Sequence, residues 1–298
     1  MKIKDIKYYL TEWTKLNFSY IRQIKKNIYY KKKKIIQFNN EFLSTIKQDS
    51  SPLFVLSTGR CGTEYLTKIL TLNNQIDAYH SPNPELYIAS KYAYENYSEK
   101  NEELCKIIES ARLELIIESF LRDRYFVETN NKVTFFAYAI NEVFPKSKFI
   151  HLVRHPGSFV RSGIRRNWYH KKDKHDLGRI VPKKPQYDFN HLSDVEKIGW
   201  LWNETNKFID DFKDTVKDEN RILTLKAEDL FGNKEIAYSL YDFIGCDGVS
   251  GSKLNSVLNK KINVQTNNDF PKYENWNTDE RAKLKLMCPI AEKYNYSL

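Results

Sequence analysis

The chain has 298 residues, of which 41% are hydrophobic and 29% charged, and it carries a net charge of +10. This composition is typical of a globular protein and excludes a largely disordered chain. Residues 1–50 contain twelve Lys or Arg and four Asp or Glu, so +8 of the net charge belongs to this segment. The rest of the chain is nearly neutral, so the high pI is weak evidence for a nucleic-acid partner, and we expect none.

The sequence shows no pattern typical of a membrane segment or of a disulfide framework. It has no run of eighteen apolar residues and no short apolar core at its N-terminus, which predicts a cytoplasmic protein without a transmembrane helix. Its four cysteines are widely spaced and form no CxxC pair. This spacing favours free thiols in a reducing compartment over a disulfide framework or a zinc site.

Residues 1–49 are predicted to form a basic helical arm. Apolar residues recur there at helical spacing, and Lys31–Lys34 form a run of four lysines. Two interpretations remain open. The arm is either a solvated helix packed on the main domain, or an amphipathic segment that makes peripheral contact with an anionic membrane or a polyanionic substrate.

Residues 50–298 are predicted to form one domain in which strands alternate with helices. Strands are predicted at 53–56, 125–127, 149–153 and 222–225. Helices are predicted at 63–72, 85–121 with a break near Lys100, 132–144, 156–167, 193–212, 233–244 and 278–294. Alternation of this kind predicts an α/β fold, a central parallel sheet flanked by helices, with ligands bound at the carboxyl ends of the strands.

The turn after the first strand is predicted to bind an anion. A strand that runs directly into a helix directs the free N–H groups and dipole of the helix at a ligand. Gly59 and Gly62 allow close approach of the backbone, while Arg60 adds charge and Thr63 a hydroxyl donor. The turn lacks the GxxxxGK[ST] pattern, which argues against an ATPase or a kinase.

A second basic position follows the strand at 149–153. Arg154 lies at the end of that strand, and Ser162 follows eight residues later on the next predicted helix. A cation at a strand end and a hydroxyl on the adjacent helix can together bind a second phosphate.

These two segments together resemble a known family. Residues 54–63 resemble the 5′-phosphosulfate loop of sulfotransferases that use 3′-phosphoadenosine 5′-phosphosulfate (PAPS), and residues 149–162 resemble their 3′-phosphate motif. The resemblance implies a P-loop-like fold of the sulfotransferase type, with Tyr65 stacked on adenine. Glu64 departs from the family, which often has Thr there. The implied donor-binding residues are Ser57, Thr58, Gly59, Arg60, Cys61, Gly62, Thr63, Glu64, Tyr65, Arg154 and Ser162.

The resemblance implies in-line transfer of a sulfuryl group from PAPS to a hydroxyl acceptor, such as a carbohydrate or a glycolipid. The products are the sulfated acceptor and adenosine 3′,5′-bisphosphate, and no metal is expected. Arg60 and the loop N–H groups would stabilise charge on the leaving oxygen. The general base stays open among Glu128 at a strand end, His80, and Glu85.

Two other functions remain as alternatives, namely a P-loop nucleotide kinase or NTPase, and a non-catalytic nucleotide-binding module. The basic loop at 170–191 is either a solvated loop or a lid over an anionic or sugar-rich acceptor.

Overall fold

The computed structural model describes residues 40–171, 173–183, 188–258 and 270–298. The chain separates into two units, Met1–Thr45 and Ile46–Leu298. Most of the predicted basic arm therefore lies outside the described residues, and only its end is seen, in helix α1 (Asn40–Asp49). All that follows concerns the second unit, and the domain boundary near residue 50 stays a prediction.

The core of this unit is a five-stranded parallel sheet. Its strands are β1 (Leu53–Leu56), β2 (Ile76–Tyr79), β3 (Tyr125–Glu128), β4 (Lys148–Val153) and β5 (Ile222–Lys226), in the order β2-β3-β1-β4-β5. Four of the five were predicted from their apolar runs. The edge strand β2 was missed because only Ile76 in it is buried, so it shows no apolar run.

The register brings the functional ends of the strands to one edge. Leu56 of β1 pairs with His151 of β4, and Tyr79 of β2 pairs with Glu128 of β3. Since all pairs are parallel, the residues that follow β1, β2, β3 and β4 emerge at the same edge of the sheet. Every residue of β1 is at most 1% exposed, so the loop after it starts from a rigid central strand.

Helices cover both faces of the sheet. They are α2 (Thr63–Leu70), α3 (Tyr87–Asn96), α4 (Asn101–Phe120), α5 (Ala137–Val143), α6 (Pro156–Ile164), α7 (Lys174–Leu177), α8 (Asp194–Lys213), α9 (Ala227–Leu230), α10 (Lys234–Ile244), α11 (Gly251–Leu258) and α12 (Thr278–Met287). Helices α2, α10 and α11 pack on the face that carries Leu53 and Val55. Helix α4 packs on β3, and on α8 the ring of Phe212 packs edge-on to Phe149 of β4 at 4.8 Å. The predicted α/β fold is thus confirmed.

Some predicted helices differ in detail. The expected break near Lys100 separates α3 from α4. The helix predicted at 132–144 is instead a 3₁₀ segment, Asn131–Phe136, followed by α5, because Asn130 caps the segment through the backbone N–H of Lys132. Of the helices in the described ranges, none is both long and apolar enough to span a membrane.

Helices α6 and α8 pack closely because α6 carries Gly163. A Cβ on this glycine would lie 2.5 Å from Cε3 of Trp168 and 2.9 Å from Cδ1 of Ile198, which is on α8. The small residue therefore sets the distance between α8 and the helix that follows Arg154.

We expect Gly163→Ala to destabilise the protein by about 1–3 kcal/mol relative to Gly251→Ala, because a methyl group at 163 overpacks the interface. Gly251 is a suitable control since its Cβ would meet only the Tyr238 hydroxyl, at 3.7 Å. Urea unfolding followed by circular dichroism measures both changes. Equal stability of the two variants would show that the α6–α8 contact adjusts freely.

Candidate active site

The loop between β1 and α2 has an unusual backbone. Gly59, Arg60 and Gly62 all adopt left-handed conformations, with φ of +78°, +57° and +89°. A Cβ on Gly62 would also lie 2.9 Å from the ring of Phe231, so both the conformation and the space require glycine. Arg60 holds this conformation despite its side chain, as strained residues in functional loops often do.

Hydrogen bonds inside the protein fix this loop. The N–H of Ser57 donates to Thr134 Oγ1 at 3.0 Å, and the same hydroxyl donates to the Ser57 carbonyl. Ser57 Oγ accepts from the Gly59 N–H, and the Cys61 thiol donates to the Gly59 carbonyl, each at 3.1 Å. Burial raises the pKa of Cys61 to about 11, so its thiol stays neutral. The side chains of Ser57 and Cys61 therefore shape the loop, and donor contact through the loop backbone stays a prediction for both residues.

The first turn of α2 presents N–H groups to the space above the loop. Gly62 caps this helix and offers no side chain to accept hydrogen bonds from the first turn. Thr63, the first helical residue, lines the cavity together with Thr58, Gly59 and Arg60. Free N–H groups at a helix start attract an anion, as the sequence predicted.

Arginines gather around this loop. Arg154 follows β4 and donates from Nη1 to the carbonyl of Arg60, at 2.6 Å. Burial lowers the pKa of Arg60, and the charge of Arg154 lowers it further. Arg60 Nε is buried and has no hydrogen-bond partner among the described residues. Such a cation, held beside another and short of partners, favours a bound anion.

Arg166 extends the cluster along α6. Its Nη1 donates to the hydroxyl of Ser162 at 2.8 Å and to the Ser162 carbonyl at 2.9 Å. Burial, together with the charges of Arg60, Arg165 and Arg154, lowers the pKa of Arg166 to about 10. Ser162 thus belongs to the arginine cluster through Arg166, a residue that the sequence analysis did not assign.

His80 lies after β2 and also lines the cavity. Its Nδ1 lies 3.1 Å from Thr129 Oγ1, which lies 2.6 Å from Thr67 Oγ1. Thr67 donates its hydroxyl proton to the carbonyl of Thr63, at 2.8 Å. Thr129 Oγ1 also lies 3.5 Å from the Tyr79 carbonyl. With the Thr67 proton on the Thr63 carbonyl, we assign the Thr129 proton to the closer Thr67, so that Thr129 accepts from the Nδ1–H of His80.

This chain of hydrogen bonds fixes the histidine tautomer. With the proton on Nδ1, the lone pair of His80 is on Nε2 and can accept a proton. Burial lowers the pKa of His80, and the charges of Arg60 and Lys68 lower it further while Glu64 raises it. A neutral imidazole at neutral pH suits a general base.

Arg60, Arg166 and His80 border one cavity of about 380 Å³, and Arg154 and Ser162 lie behind this lining, in contact with Arg60 and Arg166. Its other walls include Tyr87 on α3, Lys132 after β3, and Trp168, together with Asp176 and Arg179 around α7. The described part of the 170–191 loop therefore closes one side of the cavity, as the lid interpretation requires.

Residues 52–248 match the profile of the family described as "Sulfotransferase family". The chain belongs to that family. No curated protein matches its sequence significantly.

Several solved structures are similar to this family member. One is the sulfotransferase domain of the curacin biosynthetic pathway, 15% identical, with a TM-score of 0.48 over 84% of this chain and 99% of that one. Another is the sulfotransferase domain of the Synechococcus PCC 7002 olefin synthase, 18% identical, with a TM-score of 0.44 over 85% and 98% of the two chains. A third, from Alicyclobacillus acidocaldarius, is 13% identical, with a TM-score of 0.46 over 83% and 97%.

Tyr65 does not face the donor site in this sulfotransferase family member, whereas Glu64 lies near enough to Arg60 and His80 to raise the pKa of each. Tyr65 is only 3% exposed, and its hydroxyl donates to the Leu258 carbonyl and accepts from the Gly232 N–H. A buried ring cannot stack on adenine, which corrects that prediction. The carboxylate of Glu64 also forms an ion pair with Lys68, one turn along α2, at 3.2 Å.

Phe231 is the aromatic residue that the sequence analysis missed here. It is 49% exposed, its ring packs against Tyr65 at 4.9 Å, and it lies over Gly62. No motif in the sequence signals this position, because it depends on how the turn after α9 folds back onto α2.

Glu128 is engaged in a buried ion pair. It is fully buried, and its carboxylate accepts two hydrogen bonds from the equally buried Arg112, from Nε at 2.5 Å and Nη2 at 2.9 Å. Both oxygens are occupied and shielded from the cavity, so the structure argues against its predicted catalytic role. Glu85 is also engaged, since it pairs with Lys174 of α7.

We expect Glu128→Gln to destabilise the protein by about 3–5 kcal/mol, because it leaves the buried Arg112 charge without its counter-ion. Glu64→Gln, which breaks the exposed pair with Lys68, is the control and should cost less than about 1 kcal/mol. Urea unfolding measures both. A fully stable Glu128→Gln protein that has lost activity would restore Glu128 as a candidate base.

Proposed function

We propose that this protein transfers a sulfuryl group from PAPS to a hydroxyl of a carbohydrate or glycolipid acceptor by in-line displacement. The observation that carries the proposal is the hydrogen bond between Arg154 and the Arg60 carbonyl. This bond holds Arg60 and Arg154 side by side at the ends of neighbouring strands. A donor with two separate phosphate groups needs two such cationic positions.

The residues present fit such a donor. The N–H groups of the loop and first turn of α2, with Arg60 and Thr63, suit the 5′-phosphosulfate. Arg154, Ser162 and Arg166 suit the 3′-phosphate, and the exposed ring of Phe231 offers a stacking face for adenine near Gly62. PAPS supplies the activated sulfuryl group when it is bound.

The remaining chemistry falls to Arg60 and His80. Arg60 is placed to stabilise negative charge on the leaving phosphate oxygen, in a cavity where its own solvation is already reduced. His80 Nε2 is placed to accept the proton of the acceptor hydroxyl as the new bond to sulfur forms. Thr129 and Thr67 position His80 and touch neither substrate in this scheme.

Calorimetric titration tests the donor assignment. We expect adenosine 3′,5′-bisphosphate to bind without Mg²⁺, and Arg154→Gln to weaken it about 10- to 100-fold more than it weakens adenosine 5′-phosphate, the worth of one charged hydrogen bond. Lys68→Gln, which removes an exposed charge on α2, is the control. Equal losses of affinity for both nucleotides would show that Arg154 does not bind the 3′-phosphate. Binding of Mg-ATP alone would overturn the proposal.

The base assignment is tested with ³⁵S-labelled PAPS and the best acceptor from a saccharide panel. We expect His80→Asn to lower kcat by about 10²- to 10⁴-fold with nucleotide affinity unchanged. Because the pKa of His80 is lowered, the wild-type rate should stay constant from high pH down past the ordinary histidine value of about 6.5 and fall only below it.

Thr129 provides a matched control for this assignment. Thr129→Val removes the acceptor for Nδ1–H, so it should lower kcat without changing the nucleotide affinity, and Thr129→Ser should restore it. Full activity in His80→Asn would pass the role of base to another group.

A further inference from the structure

Lys132 is a partly exposed cation that the proposed donor site does not use. It lies in the 3₁₀ segment after β3, and its ammonium lies 5.1 Å from the ring centre of Tyr87, inside the cavity. Burial, and secondly the charge of the nearby Arg179, lowers its pKa to about 8, while Asp176 raises it. Among the described residues, no carboxylate forms an ion pair with it.

The carboxylates that line the cavity are bound elsewhere. Asp176 accepts from Arg179 Nε at 2.6 Å and from the Lys171 N–H at 2.8 Å. Asp173 caps α7 through the N–H groups of His175 and Asp176. Both acids therefore bind partners in and around α7, and neither forms an ion pair with Lys132, although the charge of Asp176 raises the pKa of Lys132. A desolvated charge of this kind is costly unless a ligand supplies the opposite charge.

The cavity thus has two cationic ends. At the loop end, burial and secondly the charge of Arg154 lower the pKa of Arg60, while Glu64 raises it. At the lid end, Lys132 is influenced by Arg179 and Asp176, and Arg179 stacks on Trp168 with its Cζ 3.9 Å from the ring centre. The proposed function assigns the donor's phosphosulfate to the loop end, which leaves the lid end for a second anionic group.

We infer that the acceptor carries its own anionic group, a carboxylate or a sulfate or phosphate ester, and that Lys132 binds this group at the lid end of the cavity. This inference rests on the proposed function and narrows its acceptor to acidic or already modified sugars. Tyr87 and Trp168 line the same end, and their rings carry the cations Lys132 and Arg179.

The test compares wild type with Lys132→Met and Lys132→Arg, each saturated with adenosine 3′,5′-bisphosphate. Two of the probes, p-nitrophenyl β-glucuronide and p-nitrophenyl β-glucoside, differ only in one carboxylate. The third probe is inorganic phosphate, and ligand-observed NMR measures the binding of all three. We expect the wild type to bind the glucuronide about tenfold or more tightly than the glucoside, as one charged hydrogen bond allows.

Lys132→Met should abolish this preference and weaken phosphate, while Lys132→Arg should keep both. Lys68→Met is the charge-matched control and should behave as wild type. Absence of any preference, its survival in Lys132→Met, or failure of both anionic probes to bind would overturn the inference.

Nucleotide titrations distinguish a failure of the acceptor inference from a failure of the proposed function. We expect PAPS and adenosine 3′,5′-bisphosphate to bind Lys132→Met as they bind wild type, which also shows that the variant is folded. A selective loss of PAPS affinity would assign Lys132 to the transferred sulfuryl group and overturn the acceptor role. If neither nucleotide binds the wild type, the proposed function itself fails.

Discussion

The hydrogen bond from Arg154 to the carbonyl of Arg60 connects two loops that are 94 residues apart in sequence. It forms because β1 and β4 are adjacent and in register, so their following residues leave the sheet side by side. The bond places two guanidinium groups together in a partly buried setting, and Arg166 adds a third. Mutual repulsion among them is tolerable only because the sheet below is rigid, and it is relieved when anions bind.

The sequence predicts the centre of this arrangement well. Strand β1, its glycine-containing loop and α2 are local in sequence, and β4 with Arg154 follows the same pattern. Buried parallel strands appear as continuous apolar runs, and glycines mark left-handed positions, so both segments are visible without any tertiary information. The parallel sheet then follows from the alternation of strands and helices.

The remaining parts of the site depend on contacts between distant segments. Glu128 seems available as a base until Arg112, on α4, is seen to occupy it. Tyr65, which was expected to be exposed, is covered by α11 and the turn after α9, whereas the ring of Phe231 stays open to solvent. The importance of His80 depends on Thr129, 49 residues away. Side-chain pairing of this kind leaves no periodic trace in a single sequence.

Thr63 belongs to both halves of the site. Its N–H is in the first turn of α2, where an anion would be held, and its carbonyl is the last acceptor in the chain from His80 through Thr129 and Thr67. Three hydrogen bonds therefore connect the Thr63 carbonyl to the imidazole of His80. Because Thr63 belongs to the first turn of α2, a displacement of that turn also displaces His80, so the two halves of the site are mechanically coupled.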